Sequence, residues 1–323
     1  MAHPGASAHR AGAGPIGRLD ASTGARVGEL DLVGTLGWTL APEVLLPLAA
    51  LALLYAVGWW RLAARRPRRT PDAGGVPGAG MCWRPAAALA ALAGAVIALV
   101  SPLAALAHHL FLAHMAQHML LIAIVAPLLL LSDPFPAALW ALPRSARGAI
   151  GRLLVGGGAV RVLWERLTSV SVAGVVYAGV LWLWHHPVAY DAALGGEWLH
   201  HLEHLTFFAA AVLFWWAVIG PAPRARRPPS HGLRIAHVLI AALQSSLLAL
   251  VLSFYPRAIY ESYTRAARVS SLLPLEDQAW GGIIMWAGGA AVDMLALLIL
   301  VWRFLAASER APADGARTLR PTA

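Results

Sequence analysis

The chain of 323 residues has few charges, one cysteine and no lysine. Charged side chains make up 13% of it, about half the share usual in soluble proteins, so a soluble fold is a poor match. The single cysteine, Cys82, excludes an intrachain disulfide framework, CxxC redox chemistry and any metal site built from several thiolates. Every basic side chain is an arginine. A formal charge of +9 invites a nucleic-acid reading. The arginines, however, cluster in short connections between apolar runs, which is the positive-inside pattern and excludes nucleic acid as the expected partner. Residues 1–30 lack an apolar core, so no cleavable signal peptide is expected, and His3 and His9 read as incidental members of a tail.

What the chain has is hydrophobic residues, 59% of the total, in long runs of Leu, Ala, Val and Ile. Seven candidate spans follow, at roughly 42–62, 84–106, 108–131, 168–184, 200–219, 234–254 and 279–303. A helix rises about 1.5 Å per residue, so about 20 residues cross a hydrocarbon core about 30 Å thick. The fourth run is the shortest, with room to extend upstream into 160–167. In the third, only Met119–Leu131 is free of polar side chains, so His108–His118 must supply its outer half. Pro102 and Pro127 are expected to bend their helices, and Asp133-Pro-Phe-Pro136 to form a loop. Flexible connections are expected around 65–80 and 221–230. The expected fold class is all-α, a polytopic integral membrane protein with seven transmembrane helices over 42–303, between flexible tails at 1–41 and 304–323.

Orientation follows from the arginines. Nineteen lie after spans one, three, five and seven, and six lie on the other side, at 10, 18, 26, 257, 265 and 268. The N-terminus is therefore expected outside and the C-terminus in the cytoplasm.

Nine of the thirteen histidines then fall at the outer end: His108, His109, His114, His118, His185, His186, His200, His201 and His204. Successive helical residues turn by about 100°, so His114 and His118 share a face, with Met115 and Met119 inside an arc of about 140°. Glu197, His200, His201 and His204 fit an arc of about 100° on span five. His185 and His186, ending span four, approach from a third direction. Imidazole suits Zn, Cu, Fe and Ni, and thioether sulfur selects Cu(I). The expected metal ligands are His114, His118, His200, His201 and His204, with His185 and His186 as secondary ligands and Met115 and Met119 as soft ones. The cofactor is then copper, as Cu(I). Glu197, Glu203 and Asp191 are available to accept from the ring N–H groups that do not bind metal. A lone histidine at a membrane boundary is ordinarily a helix-end residue; nine of them in three segments are harder to absorb that way. A bis-histidine haem site, with haem as the alternative cofactor, and a metal-free structural role remain open rivals. A di-iron oxygenase would present its histidines to the opposite side.

The remaining features have plainer readings. His231 and His237, at the cytoplasmic end, are expected to pack or solvate. Gly281-Gly282 and Gly288-Gly289 permit close helix approach. Asp293, halfway along span seven, is either a functional carboxylate or a structural partner of Gln244, Ser245 or Ser246 of span six. Fourteen tryptophans mostly flank the spans, as an aromatic belt does.

Several of these residues together resemble a known family. His114-Met-Ala-Gln-His118-Met-Leu-Leu with Ala126-Pro127 and Asp133-Pro134 is similar to motifs of the multi-span cytochrome c oxidase assembly factors of the CtaG type. So are Trp184-His185-His186-Pro187 with Tyr190, His200-His-Leu-Glu-His204, and Leu275-Glu-Asp-Gln278 through Gly281-Gly282 to Met285-Trp286. The resemblance covers roughly residues 36–304. It implies a non-catalytic multi-pass protein of the bacterial cell membrane that matures a haem–copper oxidase of the respiratory chain. Its implied partners are the catalytic subunit and other copper chaperones, and its implied task is to load or stabilise copper. The single-span copper chaperone that shares the name uses cysteines, which this chain lacks beyond Cys82. Ser132-Asp133 departs from the Gly-x-Pro type of turn expected there.

Overall fold

The computed structural model describes residues 37–65, 79–155, 158–223, 228–266 and 269–318, and among these there are helices and connections but no strand. Residues 1–36, most of the 65–80 linker and 224–227 lie outside the described residues, so the expectations for the N-terminal tail and these loops do too. The long helices are α1 (Pro42–Ala64), α2 (Ala79–Val100), α4 (Phe111–Leu131), α8 (Val170–Trp184), α10 (Glu197–Ile219), α11 (His231–Phe254) and α13 (Pro274–Thr318). Between them come α3 (Pro102–Ala107), α5 (Pro134–Ala141), α6 (Arg144–Val155), α7 (Ala159–Leu167), α9 (Pro187–Leu194) and α12 (Glu261–Arg265).

Among the described residues, six helices are long and apolar enough to cross a membrane. A seventh span exists if α7 and α8 are taken together, but they meet at a 65° bend. The extension of the fourth run upstream is therefore a separate, steeply angled helix. At its far end α13 continues to Thr318, past the boundary expected at 303.

Prolines act at three places in ways their spacing alone does not tell. Pro102 does not bend a helix; it opens α3 as its first residue, with the Ser101 hydroxyl accepting from Leu103 N at 3.2 Å. Ahead of Pro127, α4 widens into a π-helical turn over Leu120–Val125. In such a turn Ile122 O would pair with residue 127, which has no N–H to give. The Trp215 indole of α10 donates to Ile122 O instead, at 3.0 Å. The segment Asp133–Pro136 is not a loop, because Pro134 starts α5 with Asp133 as its cap residue at φ 53°. Aspartate is one of the few non-glycine residues that tolerate this left-handed conformation. Its carboxylate accepts from Ala222 N at 3.2 Å and pairs with Arg84 at 3.2 Å, so the turn is tied to two other helix ends.

The bundle has two chemically distinct ends. At one, Arg61 donates to Trp140 O and Ala141 O, and Arg84 meets Asp133. At the other, Thr39 donates to Val100 O, and α4, α10 and α13 all begin. His237, in the half of α11 nearer the arginine end, is buried and stacks on Phe214, the packing role expected of it.

Helix α4 is the axis of the core, packed by α2, α10 and α13, while α11 lies along α13. Close contacts are made at glycines. A Cβ on Gly58 of α1 would stand 1.7 Å from Ala137 O of α5. One on Gly281 would stand 2.2 Å from the Phe111 ring, and one on Gly282 would stand 2.3 Å from Ser253 Oγ. The glycine pairs of α13 thus serve helix approach, 281 and 288 toward α4 and 282 toward α11. Helix α1 buries only Gly58, so most of its surface faces outward, as a lipid-exposed helix does.

Candidate metal-binding site

The site starts with the anchoring of α4. Its first turn has unpaired N–H groups, and the Asp277 carboxylate of α13 accepts two of them, from Phe111 at 2.7 Å and Leu112 at 3.0 Å. One turn on, His114 and His118 point from α4 toward α10, with Nε2 atoms 2.9 Å apart and both rings fully buried. Helix α10 answers with His200 and His204, whose rings lie 4.3 Å apart. His204 sits 5.1 Å from the His118 ring, and His200 sits 5.3 Å from that of His114. Glu203 completes the group, with no exposed surface and its oxygens 3.7 Å from His114 Nε2 and 3.8 Å from His118 Nε2.

Ligating atoms of His114, His118 and His204 lie within 4.8 Å of one another, as do those of His114, His200 and Glu203. Several are buried without a hydrogen bond: Nε2 of His200 and His204, and both oxygens of Glu203. Buried polar atoms are normally paired, so a set of such atoms converging on one point is suited to a cation. A tetrahedral ion with bonds of about 2.0 Å needs ligand atoms about 3.3 Å apart, within small ring rotations of those seen.

Tyrosines from α12 and from α9 orient the first imidazole. Tyr263 OH donates to Ala107 O at 2.8 Å, so its oxygen is free to accept from His114 Nδ1, also 2.8 Å away. Tyr190 OH lies 2.9 Å from the same nitrogen. Burial raises the pKa of Tyr190, Tyr260 and Tyr263, which keeps these phenols protonated. A proton held on His114 Nδ1 leaves Nε2 with a lone pair facing the cluster. The loop that carries α12 is held in turn by Asp191, which accepts from Glu261 N and Ser262 N, and by Gln278, which accepts from Ile259 N at 2.6 Å.

The other predicted ligands are dispersed. His185 is buried beside Tyr190 and Phe207, its Nδ1 donating to Leu181 O at 2.8 Å, and burial pushes its pKa down to about 4. It is therefore neutral, with a free Nε2, but it stands outside the groups of converging atoms. His186 and His201 are exposed. Met115 and Met119 turn to the Gly281 and Gly288 side of α13, because each is one residue, or about 100°, past its histidine. His108 is exposed at the rim, with its ring 5.0 Å from that of His200. Glu203 is the member that sequence reasoning assigned only to an outer acceptor role. Its signal was the i, i+3, i+4 spacing of 200, 203 and 204. Among the expected acceptors, Glu197 is exposed and Asp191 is committed to the loop. Tyr263 carried no sequence signal.

An uncharacterized protein of Mycobacterium leprae is 25% identical over 200 residues, covering 59% of this chain and 29% of its own length. Uncharacterized proteins of Mycobacterium bovis and Mycobacterium tuberculosis are each 26% identical over 209 residues, covering 62% of this chain and 31% of theirs. The chain thus spans less than a third of the length of these curated relatives. No solved structure matches it. The model of the cytochrome c oxidase caa3 assembly factor family, Caa3_CtaG, matches residues 53–307, a range that holds the whole histidine cluster and the long helices except the start of α1 and the end of α13, and the chain belongs to that family.

Proposed function

We propose that this chain helps to assemble a haem–copper cytochrome c oxidase by holding copper as cargo at His114, His118, His200, His204 and Glu203 and passing it to the catalytic subunit. The observation that carries the reading is the buried donor set, in which four imidazoles and one carboxylate converge with several atoms unpaired. Copper fits the donors, since imidazole nitrogen binds it well. Charge favours the cuprous state. One carboxylate neutralises one Cu(I), whereas Cu(II) would leave a net positive charge in a dry interior. Tyr263 and Tyr190 set the tautomer of His114, and the exposed His108 marks the rim by which an ion reaches His200.

Ring spacing argues against the haem alternative. Two axial imidazoles, one from each helix, must stand on opposite faces of a flat macrocycle, but the facing rings of His118 and His204, and of His114 and His200, lie edge to face with centroids only 5.1 and 5.3 Å apart. A transfer role needs no turnover of substrate, so the protein is read as a non-enzyme. The arginine asymmetry supports an outer-side position for the cluster in the bacterial cell membrane. A reporter fused after Arg320 is then expected to read cytoplasmic, and one inserted near Gly195 external.

The test is a deletion strain. Its copper-containing oxidase should lose activity and copper while the transcript persists, and the wild-type chain should restore both where the His114→Ala/His118→Ala chain does not. Full copper occupancy of the oxidase in the deletion strain would refute the reading.

A further inference from the structure

Deeper along α4, past the histidines, a cavity of about 20 Å³ lies among α4, α8, α10, α11 and α13. A cavity needs at least about 10–15 Å³ to hold one water, so this one admits a single occupant of that size. Its lining includes Met119, Met285, Asp293, Tyr177 and Ser245. A Cβ on Gly289, which also lines it, would meet nothing within 4 Å. No basic side chain lines the cavity.

This combination is not what a packing void requires. Asp293 stands midway along the most apolar stretch of α13, where a carboxylate is costly without a counter-charge. The partners expected from α11 are engaged with other groups, Ser245 with Gln244 and the Tyr177 phenol. Gln244 is engaged by the Trp182 indole at 2.8 Å and donates to Ser245 at 2.9 Å. A single monovalent cation would neutralise one carboxylate. Two thioethers on the same wall select a soft ion over sodium or magnesium, which prefer all-oxygen surroundings. Met119 directly follows the cluster residue His118, so α4 carries both donor sets on adjacent stripes.

We propose that Met119, Met285 and Asp293 form a second, deeper site for Cu(I), in series with the histidine cluster. Its place in series rests on the copper reading of that cluster; its existence as a soft-metal site does not. Tyr177 and Ser245 would hydrogen-bond the carboxylate and hold it toward the ion.

The purified full chain should be titrated with Cu(I) and Ag(I) against a chromophoric chelator, with X-ray absorption at the copper edge. The wild type should bind one equivalent with nitrogen neighbours and a further one with sulfur neighbours. Met119→Leu with Met285→Leu conserves volume, so the chain should fold; it should lose the sulfur signal and one equivalent and keep the nitrogen-bound ion. His114→Ala with His118→Ala should do the converse. If the histidine variant binds like the wild type while the methionine variant loses an equivalent, the deep site stands and the cluster reading fails. No sulfur neighbours in the fully loaded wild type, or an unchanged stoichiometry in the methionine variant, would overturn the proposal.

Discussion

Asp277 carries a testable energetic load. Its carboxylate is 3% exposed and accepts from Phe111 N and Leu112 N, the first two helical N–H groups of the helix that bears His114. Asp277→Ala would leave both donors unpaired, that of Phe111 buried and that of Leu112 half-buried. Each such group costs about 1–3 kcal/mol, and loss of an anion from a helix N-terminus adds about 0.3–1 kcal/mol. Partial hydration of the vacated space trims the sum to about 2–4 kcal/mol. For a chain of this size 1 kcal/mol moves the melting point by about 2–4 °C, so Asp277→Ala should melt about 5–15 °C below the wild type. Asp277→Asn retains one acceptor oxygen and should fall between the two. Intrinsic tryptophan fluorescence of the detergent-purified protein during heating reads the effect directly. A melting point for Asp277→Ala within about 1 °C of the wild type would show that this carboxylate does not hold α4 to α13.

Three further outcomes are expected. Gly281→Ala should destabilise by about 1–3 kcal/mol, because its methyl lands 2.2 Å from the Phe111 ring. Gly151→Ala on α6, where nothing lies within 4 Å, should leave the melting temperature unchanged or higher. Tyr263→Phe should weaken copper binding by about 10–100-fold without unfolding the chain, since it removes one of the two phenols on His114 Nδ1, the one held as an acceptor by its own bond to Ala107 O, and chelator competition measures this. His204→Ala should release copper, whereas His201→Ala, at an exposed ring, should bind like the wild type; equal losses from both would mean that α10 presents a different face to α4.

The helices were readable because a membrane core imposes length and apolarity together. Six of the seven runs each fall on a single long helix, while the second is divided at Ser101 into α2 and α3, and the pairing of His114 with His118 follows from the pitch of α4 alone. What pitch cannot give is rotation against neighbours. Glu197, His200, His201 and His204 fit one arc, and Glu203, His200 and His204 fit an adjacent one. Packing against α4 chose the second, exposing His201 and burying Glu203. The same rotation turned Met115 and Met119 to the glycines of α13. The tyrosine contribution depends on a loop pinned by Asp191 and Gln278, contacts about 70 and 19 residues apart in sequence, which no local pattern encodes. The π turn is a quieter case. Pro127 announces a disturbance in α4, but whether it kinks or widens was settled by the Trp215 indole reaching Ile122 O.

The account stands or falls on one ion shared by two helices. Copper content of the purified chain after Cu(I) loading and desalting should be compared among the wild type, His114→Ala/His118→Ala and His200→Ala/His204→Ala, with nitrogen-coordinated copper resolved by X-ray absorption. Either double substitution should remove the same nitrogen-bound equivalent while the protein stays folded in the membrane. Retention of that equivalent in both variants would contradict a shared site between α4 and α10.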